Sequence, residues 1–287
     1  MRKPIVAVVT TAVLVFTALI GASPATADPT GGAAYVAFGD SEAAGTGNLP
    51  YVAGEPCYRS KKSYPLLAGG VSYACAGATV PDVAAQAQAA VAAGDLGPDT
   101  QKVSIHVGIN DLTFALPGVP DRVGWQELLA YCFVAGDAAC EAARLTLSAP
   151  TFAGLPALLQ GIRAVTGADA QILVLGYPKL FGSFSGTCAI GTYQRTPVAV
   201  TSAQATTVNM GIAQLNVGLA VVTDFSQQGA TFVPLNGVFT PGLFDGHGLC
   251  DSAESWIGSL MPETSRNWVR SLHITSPGQK AIAGLIG

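Results

Sequence analysis

The amino-acid sequence predicts an α/β protein: a three-layer α/β/α sandwich on a mainly parallel five-stranded sheet. Five short apolar runs have the length of buried strands, and helical stretches separate them. No internal repeat, charged block or long Pro/Ser-rich linker divides the chain. Strand alternating with helix favours parallel strands joined by right-handed crossovers, with helices on both faces of the sheet.

The chain opens with Arg2 and Lys3, an apolar stretch over 5–20, and Ala25-Thr26-Ala27, a small-x-small pattern before Asp28. This reads as a signal peptide over 1–27, cleaved after about Ala27, on a secreted protein. About 16 apolar residues fall short of the roughly 20 that a spanning helix needs, so no stable membrane span is expected. Residues 28–287 then form a single domain.

The first strand, Tyr35-Val36-Ala37-Phe38, breaks at Gly39-Asp40-Ser41. Further strands are expected over 71–74, 103–107, 172–175 and 231–233. Helices are expected over 81–93, over 140–165 with interruptions at Pro150 and Pro156, and over 198–225. In the last of these, Val208, Ile212, Leu215, Leu219 and Val222 recur at helical spacing on one face. Segments 45–62, 117–121 and 181–196 are rich in turn formers and read as irregular loops. Residues 234–272 carry the turn signals Pro241-Gly242, Asp245-Gly246 and His247-Gly248. So long a connection usually lines a site or is pinned covalently, and Cys250 is placed to pin it.

The chain carries 14 basic and 18 acidic side chains; losing Arg2 and Lys3 leaves 12 against 18, about −6. No basic cluster remains, which argues against nucleic acid or an anionic membrane surface as partner. Cysteines at 57, 75, 132, 140, 188 and 250 are an even number in an exported chain, so disulfides are expected. None forms a CxxC pair, which disfavours zinc, and spacing does not choose among the 15 possible pairings.

Four segments carry the chemistry: Gly39-Asp40-Ser41, Cys75-Ala76-Gly77-Ala78-Thr79, Gly108-Ile109-Asn110-Asp111, and His273 ahead of Ser276-Pro277-Gly278-Gln279. The first three follow predicted strands, at the carboxyl ends where open α/β sheets place their sites. A serine hydroxyl needs a base to take its proton and donors to stabilise the oxyanion. His273 is the candidate base. A glycine at 77 lets backbone approach substrate closely, and the Asn110 amide is a neutral donor that does not titrate. The G-x-S-x-G elbow of α/β-hydrolases is ruled out, because position 43 is alanine.

In this order the segments resemble the SGNH hydrolases, also called GDSL lipases and esterases, and among them the exported actinobacterial lipases. The resemblance spans Tyr35 to about Gly278 and extends to Cys57-Tyr58-Arg59-Ser60 with Ser63-Tyr64-Pro65, to Leu175-Gly176-Tyr177-Pro178, and to Gly246-His247 with Cys250. It implies an SGNH/flavodoxin-like fold and a secreted serine ester hydrolase that cleaves carboxylic esters through an acyl-enzyme. Ser41 resembles the nucleophile and His273 the base, with Ser41 N–H, Gly77 N–H and Asn110 forming the oxyanion hole. It also implies the disulfides Cys57–Cys75, Cys132–Cys140 and Cys188–Cys250. A small-molecule or lipid ester is the implied partner of a monomer, with no metal or organic cofactor.

Three positions depart from the family pattern. Arg270 stands where many members carry an aspartate three residues before the histidine, and no carboxylate lies between Glu263 and His273. The resemblance implies a backbone carbonyl as orienter of the imidazole, that of Arg270 first, with Asp245, Asp251, Glu254 and Glu263 as the carboxylate alternatives. Ile274 replaces the common proline, and Glu42 replaces a small or aromatic residue and is expected to face solvent. His106 is expected to be a hydrogen-bonded core histidine, His247 to be structural, Asp111 to cap a turn or helix, and Asp40 to fix the serine loop. A carbohydrate O-acetyl esterase of the same fold would share these residues. Glu42 and Arg270 also suggest a catalytically silent envelope-binding protein.

Overall fold

The structure is a computed structural model that describes residues 31–52, 56–116, 121–147, 152–237, 241–263 and 265–287. The expected signal peptide and most of the loop expected over 117–121 lie outside the described residues.

Strand β1 (Tyr35–Gly39) is buried along its whole length, as an apolar run covered on both faces should be. It leads into the single-turn helix α1 (Ser41–Ala44) and, past the short α2 (Tyr64–Leu67), the chain forms β2 (Val71–Ser72). Beyond Ser72, Tyr73 N and Cys75 N still donate to Ala37 O and Gly39 O, so the run expected over 71–74 continues to pair with β1. Helix α3 (Val80–Ala93) and β3 (Lys102–His106) follow, then α4 (Trp125–Ala135), α5 (Asp137–Leu147), α6 (Leu155–Val165) and β4 (Gln171–Leu175). Next come β5 (Thr187–Tyr193), β6 (Thr196–Thr201), α7 (Ser202–Phe225), β7 (Ala230–Val233) and the closing helix α8 (Ser276–Ile286).

The five strands β2-β1-β3-β4-β7 form one sheet in which every pairing is parallel. The step from β1 to β2 runs opposite to the three later steps, so right-handed crossovers send α2 to one face and α3, α6 and α7 to the other. The packing agrees: α2 lies on α8, while α3 lies on α6 and α6 on α7. The predicted α/β/α sandwich is therefore the observed fold.

Helix α7 is the one described helix long and apolar enough to cross a membrane by length and composition. Its Val208, Ile212, Leu215 and Leu219 are buried in the core.

Three expectations are corrected. The helix expected from 198 begins at Ser202, because Val198 and Val200 point inward from strand β6 and Thr201 caps the helix. The supposed loop over 181–196 holds β5, which pairs antiparallel with β6. Helix α4 was not anticipated, although Trp125, Leu128, Leu129, Cys132 and Phe133 fall on one buried face. The disulfides are Cys57–Cys75, Cys132–Cys140 and Cys188–Cys250. The last ties the β5–β6 hairpin to the long 234–272 segment, where Leu260 also bonds the hairpin backbone at Ile190 and Thr192.

Candidate active site

The sheet order brings the ends of β2, β1 and β3 side by side, and with them the loops that carry Gly77, Ser41 and Asn110. Gly39 ends β1 at φ +144°, and a Cβ there would lie 2.3 Å from the His106 carbonyl, so only glycine brings the chain through. Asp40 then caps α1: its Oδ1 accepts from Glu42 N at 2.9 Å, and its Oδ2 accepts from the Tyr177 hydroxyl at 2.5 Å. Burial raises the Asp40 pKa to about 7 against the lowering effect of those two bonds. Asp40 thus fixes the serine loop as expected, and Ser41 sits at the first position of α1, 4% exposed.

Gly77 is left-handed at φ +82°, with open space where a side chain would stand. Beside it, Asn110 Nδ2 donates to Ala78 O at 3.2 Å from the 3-10 turn Ile109–Asp111. The Asp111 carboxylate accepts from Val80 N at 3.0 and 3.1 Å and so caps α3, the structural role expected of it. The Tyr177 hydroxyl also accepts from Ile109 N at 3.1 Å. A single phenol therefore ties the serine loop to the asparagine turn.

His273 is buried between the short 3-10 turn Trp268–Arg270 and α8. Its Nδ1 lies 2.9 Å from the Ser271 carbonyl. This corrects the expectation for Arg270, whose carbonyl accepts from the His273 backbone N at 3.4 Å instead. Leu272, at φ +59°, explains the difference: a left-handed residue between them folds Ser271 O back toward the ring two positions on. Gln126 Nε2 donates to the same carbonyl at 2.7 Å, and the Trp125 ring packs edge-on to the imidazole at 5.4 Å. Helix α4, unread in the sequence, supplies both.

With Nδ1–H donated to Ser271 O, the neutral tautomer leaves Nε2 as acceptor. Nε2 is buried and has no hydrogen-bond partner among the described residues. Burial lowers the His273 pKa to about 4, although the Ser271 bond raises it, so the ring is neutral at ordinary pH. No carboxylate hydrogen-bonds the ring among the described residues. Asp245 instead accepts from Asn236, Gly237 and Gly242, and Asp251 from Ser183 and Gly248.

Glu42 corrects a second expectation: it is 4% exposed, and its Oε2 accepts from Ile274 N at 3.1 Å. The residue after the serine thus touches the residue after the histidine. Burial first, then the nearby Asp40 carboxyl, raise its pKa well above the usual carboxylate range. His106 is buried as expected, but neither ring nitrogen has a partner among the described residues, and burial lowers its pKa to about 3. His247 stacks on Trp256 at 3.7 Å, with Nδ1 2.9 Å from Glu254 O. Among the described residues no cluster of His, Cys, Asp and Glu could hold a metal ion.

No family model matches the chain. Lipase 2 of Streptomyces coelicolor is 28% identical over 277 residues, covering 91% of this chain and 87% of that protein. The extracellular lipase of Streptomyces rimosus superposes with a TM-score of 0.66 at 28% identity, over 88% of this chain and 97% of its own. Phospholipase A1 of Streptomyces albidoflavus NA297 gives 0.67 at 26% identity, over 90% and 100%. In fold and in these relatives the chain is similar to the SGNH hydrolases. It is a carboxylic ester hydrolase, similar to these Streptomyces enzymes.

Proposed function

We propose that the protein is a secreted serine esterase or lipase that works through an acyl-enzyme on Ser41. His273 Nε2 takes the hydroxyl proton as Ser41 Oγ bonds to the ester carbonyl carbon. The N–H groups of Ser41 and Gly77 and the Asn110 amide receive the oxyanion. Collapse breaks the bond to the alcohol oxygen, which leaves with the proton held by His273. Water then attacks the acyl-enzyme, gives its proton to the same nitrogen, and the acid departs as Ser41 is reprotonated.

One observation carries this reading: a buried, neutral imidazole has Nδ1 engaged by Ser271 O and Nε2 free of partners among the described residues, on a segment bonded directly to the serine helix. Ser271 O fills the orienting role that an aspartate plays in a triad, fixing tautomer and ring direction without adding charge. The phospholipase and lipase relatives favour a lipid ester as substrate. Three disulfides, the extracellular S. rimosus relative and the Arg2–Ala27 pattern favour export.

Ser41→Ala and His273→Ala should each lower turnover of p-nitrophenyl esters by about 10⁴-fold or more while leaving the unfolding midpoint near that of the parent. Undiminished turnover by purified Ser41→Ala would falsify the assignment.

A further inference from the structure

We propose that Glu42 and Asn48 are positioning residues that clamp the peptide groups of Ile274 and thereby set His273 against Ser41. The proposal rests on the reading of Ser41 as nucleophile and His273 as base.

The segment that carries the base is held on two sides by different means. On one side it is an ordinary ladder: Leu272 N donates to Gly258 O at 3.1 Å, Gly258 N to His273 O at 2.8 Å, and Thr275 N to Trp256 O at 2.8 Å. In an extended segment successive peptides point to opposite sides, so Ile274 N and O face away from that ladder. Among the described residues no strand meets them there. Glu42 Oε2 accepts from Ile274 N at 3.1 Å, and Asn48 Nδ2 donates to Ile274 O at 3.0 Å. Two side chains from the turn after the nucleophile thus stand in for a strand.

Both residues are almost fully enclosed, Glu42 at 4% and Asn48 at 5% exposure. Buried hydrogen bonds of this kind are short of alternatives, because solvent cannot replace a lost partner. The rest of the turn presses on the same segment. A Cβ at Gly47 would lie 2.5 Å from Ile274 O and 3.2 Å from His273 Cβ, and Gly47 O accepts from Arg270 Nε at 3.1 Å. The backbone of Glu42 is fixed in turn from α8, where Gln279 Nε2 donates to Glu42 O at 2.9 Å. Any movement of Ile274 therefore moves His273 relative to the helix that bears Ser41.

Glu42 does not orient the ring directly, since Nδ1 belongs to Ser271 O. Its part is the distance between the two reacting groups. Burying a carboxyl beside Asp40 costs stability, as the raised pKa records, and the bond from Ile274 N is what the buried Glu42 side chain offers in return.

The test compares Glu42→Leu, Glu42→Gln and Asn48→Ala in the full mature protein. Each is read for kcat and KM on a p-nitrophenyl ester, for the rate of labelling by a fluorophosphonate probe, and for the unfolding midpoint. Misplacement of a reacting group by about 1 Å can cost about 100-fold. We expect Glu42→Leu and Asn48→Ala to lose about 10- to 100-fold in kcat and in labelling rate, with KM within about twofold. Glu42→Gln keeps an amide oxygen for Ile274 N and should stay within about threefold of the parent. Folded Glu42→Leu with parental kcat, or Glu42→Gln as impaired as Glu42→Leu, overturns the clamp. Should Glu42→Leu not fold, Asn48→Ala with parental kcat overturns it. A parent protein whose Ser41 is not labelled overturns the serine mechanism itself, whereas normal labelling in every variant sinks only the clamp.

Discussion

Tyr177→Phe removes one oxygen atom and breaks two connections at once. The hydroxyl donates to Asp40 Oδ2 at 2.5 Å and accepts from Ile109 N at 3.1 Å, all within the buried interior. A net hydrogen bond contributes about 1 kcal/mol, and a buried group left without its partner costs about 1–3 kcal/mol. Two such losses sum to on the order of 3 kcal/mol, or about 6–12 °C in Tm for a domain of this size. The pH dependence gives a sharper signature. Asp40 has a folded pKa of about 7 against 3.8 unfolded, so it destabilises the fold progressively as pH rises from 3.8 to about 7, and the penalty is constant above that. The tyrosine hydrogen bond holds this pKa down, and without it the penalty keeps growing beyond pH 7. The stability gap between parent and variant should therefore widen from pH 6 to pH 9, by about 1.4 kcal/mol for each unit of further pKa rise. Urea unfolding across that range measures it. A gap under about 1 kcal/mol at pH 7, or one that does not change with pH, would refute the argument. Loss of the Ile109 anchor should also lower kcat, because Asn110 follows directly on the same turn.

Two further outcomes follow from buried histidines. His106 has a folded pKa of about 3 against 6.5 unfolded, so the parent loses stability as pH falls below 6.5, by about 2 kcal/mol at pH 5. His106→Phe cannot titrate, so its unfolding free energy from urea titration should improve relative to the parent by that amount between pH 7.5 and pH 5, and an unchanged difference would contradict the burial argument. In the proposed mechanism the base acts in its neutral form, and a His273 pKa near 4 predicts that kcat/KM on an uncharged ester falls off around pH 4. An acid limb near 6.5 in the initial rates would mean that the imidazole is solvated in the working enzyme.

The strands were legible because a run buried on both faces is mainly apolar, as β1 is throughout, while in β3 Val103 and Ile105 carry the signal between Ser104 and His106. The start of α7 was legible in principle as well. Thr201 and Gln204 form a capping box, with Gln204 N donating to Thr201 Oγ1 at 3.1 Å and Thr201 N to Gln204 Oε1 at 3.0 Å. The apolar count through Val198 and Val200 masked it. The β5–β6 hairpin gave a weaker signal: Gly191 interrupts β5, the register shifts between Ala189 and Gly191, and Pro197 lies in β6. Its position depends on Cys250 and Leu260, far along the chain.

The site divides along the same line. Ser41, Gly77 and Asn110 each follow their own strand, so once the strand order is fixed the topology alone gathers them, and short motifs suffice to find them. What controls the imidazole has no such locality. Gln126 comes from α4, 145 residues before the carbonyl it shares, and Glu42 meets Ile274 across 232 residues. A glutamate beside a nucleophile is assigned to solvent by the statistics of charged side chains, and only the fold shows that a peptide N–H awaits it. The Ser271 carbonyl was harder still to foresee, because it depends on a left-handed leucine that no residue preference favours. Motifs therefore locate the candidate reacting atoms, while the contacts that hold their segments together are made to backbone groups, which carry no sequence signature and are reached here by Glu42, Asn48 and Gln126.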